Sequence, residues 1–262
     1  MKNVKTILVA VLMMALSSTV FAQDAESLMK ESHLNYYYAK EDGKAKVEMT
    51  LVTSDGGTKT KEFTMVRKDV KDGGDQLYFI YFRAPSDIKR MTFLVKKHVD
   101  GDDDRMLYVP AIDLVKKIAA SDKASSFVGS DFSYEDVSGR IWTEDKHELV
   151  GEEKVGDRLA YKIKSTPKEE DYFAHKITFI GKETKLPLRE EYYNKQGELT
   201  RVFTAETIED VSGIPTITER KMEDVAKKQH TVITFHQIKY DIGIKDRYFT
   251  ERYLKKPHIS LK

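Results

Sequence analysis

From Lys44 to Ile242 apolar residues recur at every second position, in short runs punctuated by Gly, Asp and Asn. This period of two constrains the fold more than any other feature, because alternating side chains fit a half-buried strand. Val47, Met49 and Leu51 alternate with Glu48 and Thr50, and Phe63 and Met65 follow after the turn signal Ser54-Asp55-Gly56-Gly57. Leu77 to Phe82 is apolar at every position, which predicts a strand covered on both faces. Met91, Phe93 and Val95, then Met106 to Val109, continue the series. Strands resume at His147 and run to Ile242, with turns at Gly156-Asp157, Asn194 to Gly197 and Ser212-Gly213. In the last of them Ile233 and Phe235 face one way, and Val232, Thr234, His236, Ile238 and Tyr240 the other. The pattern predicts about ten or eleven antiparallel strands in a mainly β fold. A single twisted sheet of that size curls toward a barrel with room inside. Helix is expected at the N-terminal end, Asp24 to Tyr38, and in a last turn from Asp246 to Leu254.

The alternation fails once, between Pro110 and Val137. Ile112, Val115, Ile118 and Ala119 fall on one face of a helix, with Lys116 and Lys117 opposite. Then comes SSFVGSDFSYEDV, Ser125 to Val137, where large apolar residues sit among small polar ones that favour turns. Such residues either plug a core or cover a hollow that opens and closes, with Gly129 as the hinge and Phe127, Phe132 and Tyr134 as the cover. Both readings stand on the residues alone.

The first 22 residues read as a cleavable export signal: Lys2 and Lys5, an apolar run from Ile7 to Leu16, and the small-x-small site Val20-Phe21-Ala22. The run is shorter than the roughly 20 residues of a spanning helix. The sequence contains no Cys, which removes disulfides, thiolate chemistry and a lipidated N-terminal Cys. The mature part, 23–262, is expected to be one domain. With Lys2 and Lys5 gone, 42 of the 44 basic residues face 43 acidic ones, a net of −1 with no basic stripe, which argues against nucleic acid.

Motifs for catalysis are missing. There is no HExxH, P-loop, G-x-S-x-G or dinucleotide fingerprint. Asp100 to Asp104 lacks the spacing of a calcium loop and reads as a solvated hairpin tip. His230 and His236 on one strand lie roughly 20 Å apart by strand rise, too far for one metal. Arg67, Arg83 and Arg90 read as solvated strand ends, or as partners for a phosphate or a lid carbonyl. Neither enzyme nor cofactor is expected.

The runs FRAPSDIKRMTFLV (Phe82 to Val95), DDDRMLYVPAIDLVKKI (Asp102 to Ile118) and SSFVGSDFSYEDV resemble the outer-membrane lipoprotein-sorting (LolA-like) proteins over most of the mature chain. The resemblance implies a half-open β-barrel whose mouth is capped by helices and a loop. It implies a periplasmic carrier for lipid or for the acyl chains of lipoproteins, with an inner-membrane transporter and an outer-membrane acceptor as partners. Met49, Leu51, Phe63, Met65, Phe79, Tyr81, Phe93, Val95, Leu107 and Val109 are then the expected lipid-binding lining. Ile118, Phe127, Gly129, Phe132 and Tyr134 are the expected lid. The alternative is a non-transporting envelope sensor or a docking partner of an RND-type exporter, which an exposed aromatic patch would favour.

Overall fold

The computed structural model describes residues 25–262. The expected export signal and its cleavage site lie outside them. Helix α1 (residues 25–37) leads into thirteen strands of one antiparallel sheet. In chain order these are β1 (Asp42–Val52), β2 (Thr58–Asp69), β3 (Gln76–Ala84), β4 (Thr92–Lys97), β5 (Asp104–Val109), β6 (Leu114–Ile118), β7 (Asp145–Val155), β8 (Arg158–Pro167), β9 (His175–Gly181), β10 (Pro187–Tyr193), β11 (Leu199–Val211), β12 (Ile214–Asp224) and β13 (Gln229–Tyr240). The short helices α2 (Tyr134–Ser138) and α3 (Glu251–Lys255) complete the elements that matter below.

The spatial order is β6-β5-β4-β3-β2-β1-β13-β12-β11-β10-β9-β8-β7. Except for β6 and β7, each strand lies beside its neighbours in sequence, and the first and last strands pair in the middle. The sheet does not close: its two edges are β6 and β7, which are consecutive in the chain. The segment joining them therefore has to cross from one edge to the other. It holds Ser125 to Val137, within the stretch in which the period of two fails.

The count exceeds the expected ten or eleven partly because Leu114–Ile118 is a strand, not a helix. Pro110–Ile112 forms a single 3-10 turn, and Asp113 adopts a left-handed conformation, φ 47°. The chain reverses there and pairs back on β5, Val109 against Leu114 and Tyr108 against Val115. Turn chemistry thus overrides a helical spacing carried by only four apolar residues. The other expected helices are present at both ends.

The two faces of the sheet are buried differently. The outer face of β2–β4 holds Val66, Leu77, Phe79 and Leu94, covered by Ile244, Phe249, Leu254 and Leu261 from the C-terminal segment. The Thr92 hydroxyl donates to the Leu254 carbonyl at 2.8 Å, and Lys44 Nζ donates to the carbonyls of Ser260 and Lys262. This cover explains why β3 is apolar at successive positions. The inner face holds the larger core, in which Val47, Met49, Phe63, Tyr78, Ile80, Phe82, Phe93 and Val95 meet the crossing segment.

Candidate ligand-binding cavity

The crossing segment begins after Ile118 and folds into a small hairpin. Phe127 N–H donates to the Phe132 carbonyl at 2.7 Å, and Ser130 N–H donates to the Phe127 carbonyl at 3.1 Å. Val128 and Gly129, between them, both have positive φ, 49° and 75°. That is the backbone of a type I′ turn, easy for Gly and costly for a β-branched residue. The Ser130 hydroxyl donates to the Phe127 carbonyl at 2.7 Å and tightens the turn. Ser133 then starts α2 with a reciprocal cap: its hydroxyl accepts from Asp136 N–H, and the Asp136 carboxylate accepts from Ser133 N–H.

The apolar side of this hairpin fills the inner face. Phe127, 2% exposed, sits among the rings of Phe93, Tyr134, Phe82 and Phe63, with centroids 5.4, 5.8, 6.2 and 6.5 Å away. Tilted and edge-on rings at these separations add to the gain from buried area. The polar side faces the opposite wall. Asp131 accepts from Thr231 Oγ1 at 2.7 Å and from Gln229 Nε2 at 2.5 Å on β13. Arg201 on β11 donates to the Asp131 carbonyl at 3.1 Å and pairs with the Asp136 carboxylate. Burial pushes the Asp136 carboxyl up, but the Arg201 charge and the cap hydrogen bonds outweigh it, so the group stays ionised below its usual range.

That wall is charged elsewhere too. Lys176 on β9 pairs with Glu190 on β10 at 2.8 Å. Arg140, just past α2, pairs with Asp145 at 2.9 Å and Asp171 at 2.6 Å, and Lys123 pairs with Glu135 and Asp171, each at 3.0 Å. The Tyr172 hydroxyl donates to Glu135 at 3.0 Å. Lys176, Glu190, Arg140, Asp145, Glu135 and Tyr172 border a polar cavity of about 70 Å³ that His33, Tyr36 and Arg220 also line. Burial, with help from the charges of Lys97 and Lys176, pushes the His33 imidazole down to about 3.

A larger, mostly apolar cavity of about 140 Å³ lies between the end of α1 and strands β1, β2, β12 and β13. Ala45, Met65, Leu186, Ile217, Phe235 and Ile238 contribute its apolar lining. Met65, Val137, Arg220 and Phe235 also border a narrow void of about 10 Å³ that reaches Phe127 and Phe132. The end of α1 forms one side of the large cavity. Its terminal carbonyls are held by Arg67, which donates to the Tyr37, Ala39 and Lys40 carbonyls at 2.8, 2.5 and 2.7 Å, and by Gln76, which donates to Tyr37 at 2.8 Å.

Of the expected lining, Met65 borders the apolar cavity, and Phe63 joins it at the narrow void. Met49, Phe93 and Val95 lie in the packed inner core, with Leu107 and Val109 against it. Leu51 is buried and continues the inward alternation of β1. Phe79 and Tyr81 are corrected: they point to the outer face, Phe79 into the cluster under the C-terminal segment and Tyr81 against it. On a strand apolar at every position the period gives no parity, and the inward set there is Tyr78, Ile80 and Phe82. Of the expected lid, Phe127, Phe132 and Tyr134 are in the inner core with Ile118, which reaches it from β6 instead of a helix. Gly129 stands at the turn with open space around its Cα.

Several residues escaped sequence reasoning. Asp131 and Asp136 hold the hairpin to the far wall, and the Ser-x-x-Asp cap was the available signal. Arg67 meets carbonyls at the end of α1, where the expectation was a solvated strand end, a phosphate or a lid carbonyl. Asp103, expected at a solvated tip, accepts from Arg105 at 2.6 Å and from the Ser138 hydroxyl at 3.0 Å. Ile238 and Tyr240 line the cavity although alternation puts them opposite Phe235. Gln237 takes a left-handed conformation, φ 51°, where the β1–β13 register shifts, and this bulge reverses the parity.

A family model described as "Uncharacterized protein" matches residues 74–256. The chain belongs to this DUF1329-like family. A DUF1329 family protein from Desulfovibrio piger is 29% identical, over 89% of this chain and 99% of its own, with a TM-score of 0.82. A domain described as a candidate outer membrane lipoprotein-sorting protein from Vibrio parahaemolyticus is 22% identical, over 90% of this chain and 100% of its own, at a TM-score of 0.83. A LolA superfamily protein from Nitrosomonas europaea is 16% identical over 87% and 98%, at 0.69. The family therefore has the LolA-like fold, an open antiparallel barrel. No curated relative matches the chain.

Proposed function

We propose that this protein is a periplasmic carrier, exported as one domain spanning 23–262, that holds lipid or the acyl chains of lipoproteins in its apolar cavity on the way to the outer membrane. One observation carries the reading: the cavity shares Met65, Val137, Arg220 and Phe235 with a void beneath a segment whose underside is aromatic and whose other side is fastened by polar contacts. Each buried methylene of a cargo contributes about 0.8 kcal/mol, so tight binding needs no catalysis. Release needs a cover that can be unfastened, and the Asp131 and Asp136 contacts are of that kind. The likeness to lipoprotein-sorting folds supports the same reading, with an inner-membrane donor and an outer-membrane acceptor as partners.

The sensor or docking alternative calls for an exposed aromatic patch. The exposed large apolar residues among those described are aliphatic, such as Ile112, Leu114 and Ile259, so no specific observation favours it. The test is native mass spectrometry of the mature protein purified from its envelope without detergent, followed by lipid extraction. A bound mass that resolves into acyl-bearing lipid is expected. A protein that stays empty after incubation with envelope lipids overturns the carrier reading.

A further inference from the structure

Five arginines lie largely buried beside or behind the inner face, and four of them have a carboxylate. Arg67 pairs with Asp69, Arg105 with Asp103, Arg140 with Asp145 and Asp171, and Arg201 with Asp136. Arg220 is the exception. It stands on β12 opposite Ala205 and Ile233 and is 8% exposed. Its guanidinium lies over the rings of Phe132 and Phe235, 5.1 Å from each centroid. Nη1 donates to the Tyr36 hydroxyl at 2.6 Å, while Nε is buried with no partner. Among the described residues no carboxylate pairs with it.

A buried cation held by two ring faces and one phenol is under-compensated, because rings and a neutral hydroxyl replace only part of its hydration. The position of this charge is equally specific. Arg220 borders each of the three cavities described above: the polar one, the apolar one and the narrow void under Phe127 and Phe132. Ile217, Ile238 and Met65 line the apolar cavity that it borders. A guanidinium presents forked N–H donors that match a carboxylate or phosphate.

We propose that Arg220 receives the anionic group of an amphiphile whose hydrocarbon lies in the apolar cavity. The inference rests on the carrier reading and narrows its cargo to lipids with a negative head. Of the carboxylates that border the polar cavity, Asp136 pairs with Arg201, Glu190 with Lys176, Glu135 with Lys123 and Asp145 with Arg140, so the charge of Asp136 reaches Arg220 only through space. A neutral acyl ester fills the same hydrocarbon space but leaves Nε unpaired. The cavity therefore discriminates by head group.

The experiment uses the delipidated mature chain, a fluorescent long-chain polyene fatty acid and its methyl ester. The acid is expected to bind about tenfold more tightly than the ester at neutral pH, a ratio equal to about 1.4 kcal/mol. Arg220→Gln should abolish the ratio while leaving ester affinity within about twofold, and Arg220→Lys should keep an intermediate ratio, as a charge without a fork. Competition separates the sources of the anion. Displacement of the fatty acid by lysophosphatidylglycerol, but not by monoacylglycerol of the same chain or by inorganic phosphate, supports a lipid-borne anion. Displacement by phosphate alone overturns it. Equal affinity of acid and ester in the wild type overturns the role of Arg220 and leaves the carrier reading standing. Binding of neither overturns both. Equal weakening of acid and ester in Arg220→Gln assigns the residue to structure and also overturns the proposal. If that variant does not fold, the wild-type ratio and Arg220→Lys decide.

Discussion

The inner face of this sheet has two halves that solve burial in opposite ways. From β1 to β5 it is a floor of Phe, Ile, Val and Met into which Phe127 and Tyr134 are pressed. From β9 to β11 it is a wall of Lys176, Glu190 and Arg201, joined by Asp136, Arg140 and Asp145. The crossing segment is amphipathic across its width, and its two sides sort accordingly. The apolar half gives the segment most of its binding energy, since packing is non-directional and scales with area. The charged half fixes where it sits, because a buried ion pair adds little net stability but tolerates little misplacement.

That division can be broken from either side. The largest effect is expected from Phe127→Ala, which removes a fully buried ring from the apolar half and should cost about 3–5 kcal/mol, read by chemical denaturation. Arg201→Met should cost about 3 kcal/mol, because it leaves Asp136 buried and unpaired. The combined Arg201→Met/Asp136→Leu variant should recover much of that loss. Recovery with faster hydrogen exchange over residues 126–138 supports a positioning role for the pair; further destabilisation would show that it is a main source of stability. Gly139→Ala should cost about 1–3 kcal/mol, since φ is 79° there and a Cβ would run into the Tyr37 ring.

Acid tests the charged half more gently. His33 titrates near 3 when folded and near 6.5 when unfolded, so below pH 6.5 the unfolded chain takes up the proton first. Stability from this group is full above pH 6.5 and falls as pH drops toward 3. His33→Gln should flatten the fall in Tm between pH 7 and 5; an unchanged slope would remove His33 as its source. The smallest effect, about 1 kcal/mol, is expected for Gly129→Ala, where a Cβ meets only the left-handed backbone and no neighbour.

The strands were legible because Gly and Asp mark their ends and one face of most is wet. Parity was legible only where alternation was unbroken. It was lost on β3, where both faces are covered, and on β13, where Gln237 reverses it without any residue that announces a bulge. The hairpin of the crossing segment was visible as apolar residues in turn-forming company. Its fastenings were not, because Thr231, Gln229 and Arg201 are remote in sequence and look like ordinary strand polar residues. Arg220 carried no signal in the sequence for the same reason. Its burial follows from the crossing segment lying over β12, which no local pattern encodes.

The opening of the sheet between consecutive strands has a mechanical consequence. A flap attached at one end swings clear of what it covers and leaves the frame undisturbed. This segment is a strap, sewn at one end to β6 and at the other to β7, the two free rims of the shell. On the proposed carrier reading, lifting it would draw on the slack of the strap or change the spacing of the rims. The mouth and its cover would then be one moving part, and a bulkier occupant would register as a wider gap between β6 and β7.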